Sequence, residues 1–194
     1  MACSRLLHSL SHNHLGAKGA AALAPALAAN GGLTSIKLRD NKLGDNGWGA
    51  IFAAICGNKD SKIMSLDASS EKIGPAGVKL IAEALRTSVT GALMVTNLLG
   101  NKLDAESAKM LAEVAKQKGI SLCGIQRDQT TADFSNKYLK PPDAILLESD
   151  LSQAGVTGGL TEVRSPAHEP KANFLNICLP ICLTDSPNVH DAPS

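Results

Sequence analysis

The chain has 194 residues, a formal net charge of +1, 19% charged side chains and 3% aromatic ones. That balance excludes bulk-charge attraction to nucleic acid or to a membrane surface, and so few rings exclude stacking platforms for bases or sugars. The five cysteines (Cys3, Cys56, Cys123, Cys178 and Cys182) have no framework spacing, and no Asn-x-Ser/Thr acceptor occurs. A reduced, cytoplasmic setting is therefore expected.

The first stretch has no acidic residue before Asp40, and Ala20 to Ala29 is alanine-rich. Such a run could be a targeting segment. It reads better as a helix whose core positions are Leu23 and Leu27. Pro25 should bend or shorten that helix. The strand before it is irregular, with Arg5 and His8 where apolar residues are wanted and only Leu10 in pattern. His8, His12 and His14 cluster here, but no Cys, Asp or Glu nearby completes a metal site.

The pattern becomes clear over 33–55. Leu33, Ile36, Leu38, Asn41 and Leu43 lead into Gly44-Asp45-Asn46-Gly47, and Ile51 and Ile55 follow on one helix face. Thirty residues on come Ile63, Leu66, Ala68, Ile73, Gly74, Gly77, Ile81 and Leu85. Thirty further on come Leu93, Leu98, Asn101, Leu103, Leu111 and Ala115. Going back 28 from Asn41 gives Asn13, with Leu10, Leu15, Leu23 and Leu27 in register. Asp45 and Asp104 are placed to cap helices, and Pro75 suits a first turn. The amides of Asn41 and Asn101 can bond the backbone of neighbouring turns as a ladder. Glu71 stands in the third position of that ladder. A carboxylate cannot donate, so Glu71 is expected to turn outwards and interrupt it.

Beyond the fourth helix, Ile120, Leu122 and Ile125 read as a strand without a helix after it, followed by the polar run Gln126 to Thr130. The pattern restarts with Ala132, Phe134 and Leu139, with Lys137 in the Asn place. Pro141 and Pro142 open a helix with Leu147 and Leu151 on its core face. Leu160, Val163 and Ser165 begin one more unit. The expected organisation is 1–118 as repeats one to four, 119–131 as extra strand and connector, and 132–165 as a further repeat and the start of another. Residues 166–194 should form a non-repeat, unpacked tail. The change at Ser165 is abrupt enough to suggest a truncated or altered reading frame. In the tail, Cys178 and Cys182 flank Pro180, and His168 and His190 supply no known zinc spacing.

The sequence L-x-x-L-x-L-x-x-N-x-L, repeated with a helix in each second half, resembles the leucine-rich repeat. The long unit resembles the ribonuclease-inhibitor-like class of that family, over roughly residues 5 to 165. The resemblance implies an α/β fold: a right-handed solenoid forming a horseshoe segment, with parallel strands on the concave side and helices on the convex side. It also implies non-catalytic protein binding. The alternatives it raises are a fragment of a nucleotide-binding leucine-rich-repeat sensor, a ribonuclease-inhibitor-like regulator, and a small-GTPase regulator of the Ran GTPase-activating type. No nucleotide-binding module precedes the repeats, so the sensor reading implies a fragment. The third reading would use an arginine and an asparagine on repeat edges, and Arg39 is the only concave arginine in a full repeat.

No phosphate-binding glycine loop, nucleophile elbow or H-E-x-x-H occurs. Asp133 and Glu148 have no partner set by the pattern and read as solvated or capping groups. No enzyme activity, cofactor or metal is expected. Strand alternation puts Ile36 and Leu38 inward, hence Ser35, Lys37 and Arg39 outward. The candidate concave face continues with Ser65, Asp67 and Ser69, then Val95, Asn97 and Leu99, then Thr131, Asp133 and Ser135, with Glu162 and Arg164 at the end. It should be basic at one end, acidic in the middle and apolar at Val95 and Leu99. The partner expected there is another protein, not nucleic acid and not a membrane.

Overall fold

A computed structural model describes residues 7–135, 137–153, 155 and 158–164. The elements alternate strictly. β1 (Leu7–Ser9), β2 (Ser35–Lys37), β3 (Ser65–Asp67), β4 (Val95–Asn97), β5 (Thr131–Asp133) and β6 (Glu162–Arg164) are each three residues long. Between them run α1 (Gly16–Ala29), α2 (Gly44–Gly57), α3 (Pro75–Arg86), α4 (Ala105–Lys118) and α5 (Pro141–Leu151). The tail 166–194, with its cysteines and histidines, lies outside the described residues.

All strand pairs are parallel. β1 to β4 form one sheet in sequence order, with Ile36 opposite Leu66 and Leu66 opposite Thr96; β5 and β6 form a second. Between the sheets, 121–124 lies along β4: Ser121 pairs with Val95 and Cys123 with Asn97. The strand layer then stops until β5. The helix layer does not stop, since each helix from α1 to α5 packs on the next. Strands on one side and helices on the other make an α/β solenoid.

One core runs through it. Leu38, Ala68 and Leu98 are stacked at equivalent positions, as are Leu43 and Ile73, all fully buried, and the inner helix faces supply Ile51, Ile55, Ile81, Leu85, Leu111 and Leu146. Each unit is too small to enclose its own apolar face, so stacking on neighbours is what buries it. Thr96 takes the place of Ile36 and Leu66, and its hydroxyl is buried without a hydrogen-bond partner among the described residues. Pro25 does not shorten α1, which has 14 residues like α2. It lies on an exposed stretch with Ala21, Ala22 and Ala26, where water can serve a carbonyl that loses its donor.

The ladder forms, and the expectation for Glu71 is overturned. Asn41 Oδ1 accepts from the amides of Asn13 and Leu15 at 3.1 and 3.3 Å, while its Nδ2 donates to the Leu10 and Leu38 carbonyls. Asn101 does the same for Glu71 and Ile73, both at 3.0 Å, and for Ala68 and Leu98. Glu71 does not turn outwards; it is 2% exposed. Its carboxylate accepts from the amides of Asn41 and Leu43 and from Trp48 Nε1 at 3.1 Å. The upstream coil needs only an acceptor there, and the indole adds a third donor. A carboxylate with three donors is satisfied.

Asp45 departs from expectation too. It makes no cap bond on α2, and instead accepts from Gly74 N at 2.8 Å, one coil further on. Asp104 does cap α4, accepting from Ser107 N at 2.7 Å; those bonds hold its carboxyl below the usual range. Across the break in the sheet the joints come from α5. Asp143 accepts from Gly100 N at 3.0 Å and from Lys140 N at 2.8 Å. Asp150, fully buried, accepts from Ser121 Oγ at 2.7 Å, Leu122 N at 2.8 Å and Cys123 N at 2.9 Å. Burial pushes the Asp150 carboxyl up, and these bonds pull partly against it.

The turns leaving the strands share one backbone shape. Residues on either side of each rung are left-handed: His12 and His14, Asp40 and Lys42, Ser70 and Lys72, with Gly100 before the fourth rung. Tyr138 joins them at φ +49°. Only glycine adopts this region without steric cost.

Candidate functional site

The outward sides of the strands carry most of the polar residues that alternation placed there. Lys37, Arg39 and Asp133 are exposed, and Ser35, Ser65, Asp67, Ser69, Asn97, Thr131 and Ser135 are half-buried. Glu162 and Arg164 are exposed and paired at 2.8 Å. The apolar part of the expectation fails. Val95 and Leu99 are 5% and 6% exposed, and 121–124 is paired along the edge of β4 beside them. They offer no open apolar patch.

The structure gathers some of these residues into a crevice of 430 Å³ at the C-terminal ends of the strands. From the predicted face it takes Arg39, Ser69, Asn97, Leu99 and Asp133. Ser35, Lys37, Ser65, Asp67, Val95, Thr131 and Ser135 are not part of its lining. The crevice spans the place where the strand layer is interrupted, and its lining joins turns of the first four coils to the turn after β5.

On the first wall, His12 Nδ1 meets Asp40 Oδ2 at 2.9 Å, and Arg39 donates to His12 Nε2 from Nε at 3.2 Å and from Nη2 at 3.1 Å. Arginine can only donate, so Nε2 presents its lone pair and Nδ1 carries the proton that Asp40 accepts. The His12 bond holds the Asp40 carboxyl below its usual range. On the other wall, Asp133 accepts from the amide of Ser135 at 2.8 Å and from its hydroxyl, which lowers its carboxyl likewise. The Cys123 thiol at the floor is pushed well up by burial and by the Asp150 charge. It remains a neutral thiol and no nucleophile.

Sequence reasoning did not find His12, Asp40, Lys137 and Tyr138 as lining residues. His12 and Asp40 directly precede a ladder asparagine. A repeated turn geometry at that position was the available signal, but strand alternation says nothing about turns. Among the described residues, no group of three or more His, Cys, Asp or Glu is placed to hold a metal ion, and no helix is long and apolar enough to cross a membrane. A family model described as Leucine Rich repeat matches residues 9–24 and 33–52. No curated protein matches the chain.

Proposed function

The chain is a leucine-rich-repeat protein, and we propose that it is a non-catalytic scaffold of the ribonuclease-inhibitor-like class that binds a partner protein through its strand face. Repeat arrays of this kind offer extended binding surfaces. The observation that carries the reading is the polarity of that face. Lys37 and Arg39 stand exposed outside Ile36 and Leu38, which are buried. The reading is of a protein in the cytoplasm, acting without cofactor or metal. Capture of partners from a whole-cell extract tests it. Lys37→Glu with Arg39→Glu should abolish capture without lowering the melting temperature, and Lys109→Glu with Lys116→Glu on the helix side should leave it intact. Loss only with the helix-side pair would sink the reading.

A sensor fragment or a ribonuclease-inhibitor-like regulator would use the same face. A small-GTPase regulator of the Ran GTPase-activating type ranks below these, since Arg39 is engaged with His12. A hydrolysis assay against a panel of small GTPases separates it.

A further inference from the structure

We propose that the outer edge of β6 is a contact between two copies of this chain, which pair there antiparallel about a two-fold axis through Val163. This goes beyond the strand-face reading and does not rest on it.

Register decides which backbone groups the edge offers. Among the described residues β6 has one neighbouring strand, β5. Glu162 N donates to the Thr130 carbonyl at 3.1 Å, and the Arg164 carbonyl accepts from Phe134 N at 2.9 Å. Glu162 and Arg164 therefore turn their backbone groups towards β5. Successive residues of a strand turn theirs to opposite sides, so the N–H and C=O of Val163 point to the outer edge. Such a row of backbone groups is a template for another strand. Two antiparallel residues of this kind exchange a pair of bonds, N–H to C=O in each direction. An axis through Val163 makes that exchange between Val163 and its own copy, a self-complementary contact.

The side chains fit the same axis. Glu162 comes to lie opposite the second copy's Arg164, and Arg164 opposite its Glu162. Within the chain Asp133 already stands opposite Arg164. Each row across the joined sheets then reads Asp133, Arg164 and the second copy's Glu162, with alternating sign, the arrangement that favours cross-strand pairing. The bond between Arg164 and Glu162 joins side chains 60% and 51% exposed, so sharing it with a second copy costs little. On the core side, Val163 is 39% exposed while Ala132 opposite it is buried, and Leu151 and Leu160 are only partly buried. A coil of such an array needs a neighbour on each side, and two valines meeting at the axis cover part of this one. The strand at the other end of the array does not fit. β1 is Leu7-His8-Ser9 and has no carboxylate to meet Arg164. Addition of β6 to it would also be head-to-tail and open-ended, whereas the β6 pair closes on itself. Three residues a side make the association weak.

The test is sedimentation equilibrium of the full chain over a rising series of concentrations. The mass should climb from that of one chain, 20.1 kDa, to that of a pair and no further. Glu162→Arg and Arg164→Glu each set like charges across the axis, and each alone should weaken the pair about tenfold or more. Mixed in equal amounts, the two variants should associate as tightly as the unaltered chain, because each then meets the opposite sign. Recovery on mixing also shows that both variants are folded. Val163→Pro removes an N–H that points away from β5, and should abolish the pair with the melt unchanged. Three results overturn the proposal. One is a chain that stays single at every concentration, as it would with the edge covered by its own residues 165–194. Another is a mass that grows past the pair. The third is a pair of charge variants that stay apart on mixing.

Discussion

The first four coils and the join to the fifth solve the same problem from opposite sides. In each, the amides of a tight turn or irregular strand must be satisfied away from water. Within the first four coils the acceptor comes from the next rung along the ladder, Asn41, Glu71 or Asn101. At the join, where the strand layer stops, it comes from α5, through Asp143 and Asp150. Continuity of the solenoid therefore does not require continuity of the sheet. It requires an acceptor within reach of each turn, and the helix layer can supply one.

Removing a core residue should have the largest effect and should treat both regions alike. Leu98 lies under the last full rung, and Leu98→Ala should cost roughly 2–5 kcal/mol, with the loss spreading to neighbouring coils. A thermal melt or denaturant curve reads it; an unchanged melt would contradict the packing. Next comes the join. Asp150→Ala leaves the amides of Leu122 and Cys123 buried without an acceptor, at about 3 kcal/mol. Hydrogen exchange should show the loss concentrated in 120–124 and α5. If protection fell equally in β1 to β4, the two regions would not be the separate solutions described above.

The ladder can be sharpened by a double-mutant cycle. Glu71→Asn alone restores an amide rung but strands the Trp48 indole N–H, and Trp48→Phe alone leaves the carboxylate short of a donor. Each should cost about 1–2 kcal/mol, with the double variant costing less than their sum. Additivity would mean the indole is not part of the rung. Thr96→Val should gain about 1 kcal/mol by replacing a buried, unpartnered hydroxyl with a methyl group.

The smallest effect is on pH. Asp40, Asp104 and Asp133 have folded values below their ordinary 3.8. Their contribution is present above that value and lost as pH falls through the lowered ones. Asp150 is raised, so its contribution runs the other way: fully present below 3.8 and lost as pH rises through the raised value. The melting-temperature difference between the chain and Asp150→Asn should shrink as pH rises above 3.8. A difference that widened instead would show that the buried carboxylate is stabilised as an anion.

Much of the fold was legible because spacing repeats. Leu38 and Leu98, sixty residues apart in the sequence, occupy the same site in their coils, and period alone finds them. What was not legible depends on contacts that no period encodes. Glu71 reads as an error in the ladder until Trp48, 23 residues away, is seen to donate to it. Asp45 reads as a cap for its own helix, yet it serves the next one. Asp143 reaches a turn 43 residues back. The strand face followed from alternation, which supplied Arg39 and Asp133. The crevice did not, because its lining joins the turns of successive coils to the turn after β5 across a gap in the sheet.

The left-handed turn residues have a consequence for how such an array can grow. Six residues around the first three rungs, His12, His14, Asp40, Lys42, Ser70 and Lys72, hold a backbone shape that glycine would hold without strain. The strain belongs to the unit, so duplicating a coil duplicates it, while the stacking that offsets it is shared with one neighbour on each side. A lineage that lengthens the array therefore has a choice at every new turn. Glycine, as at Gly100, gives an easier chain with a blank edge. A side chain gives a harder chain whose edge can be read by something else. The first coils of this protein keep the side chains.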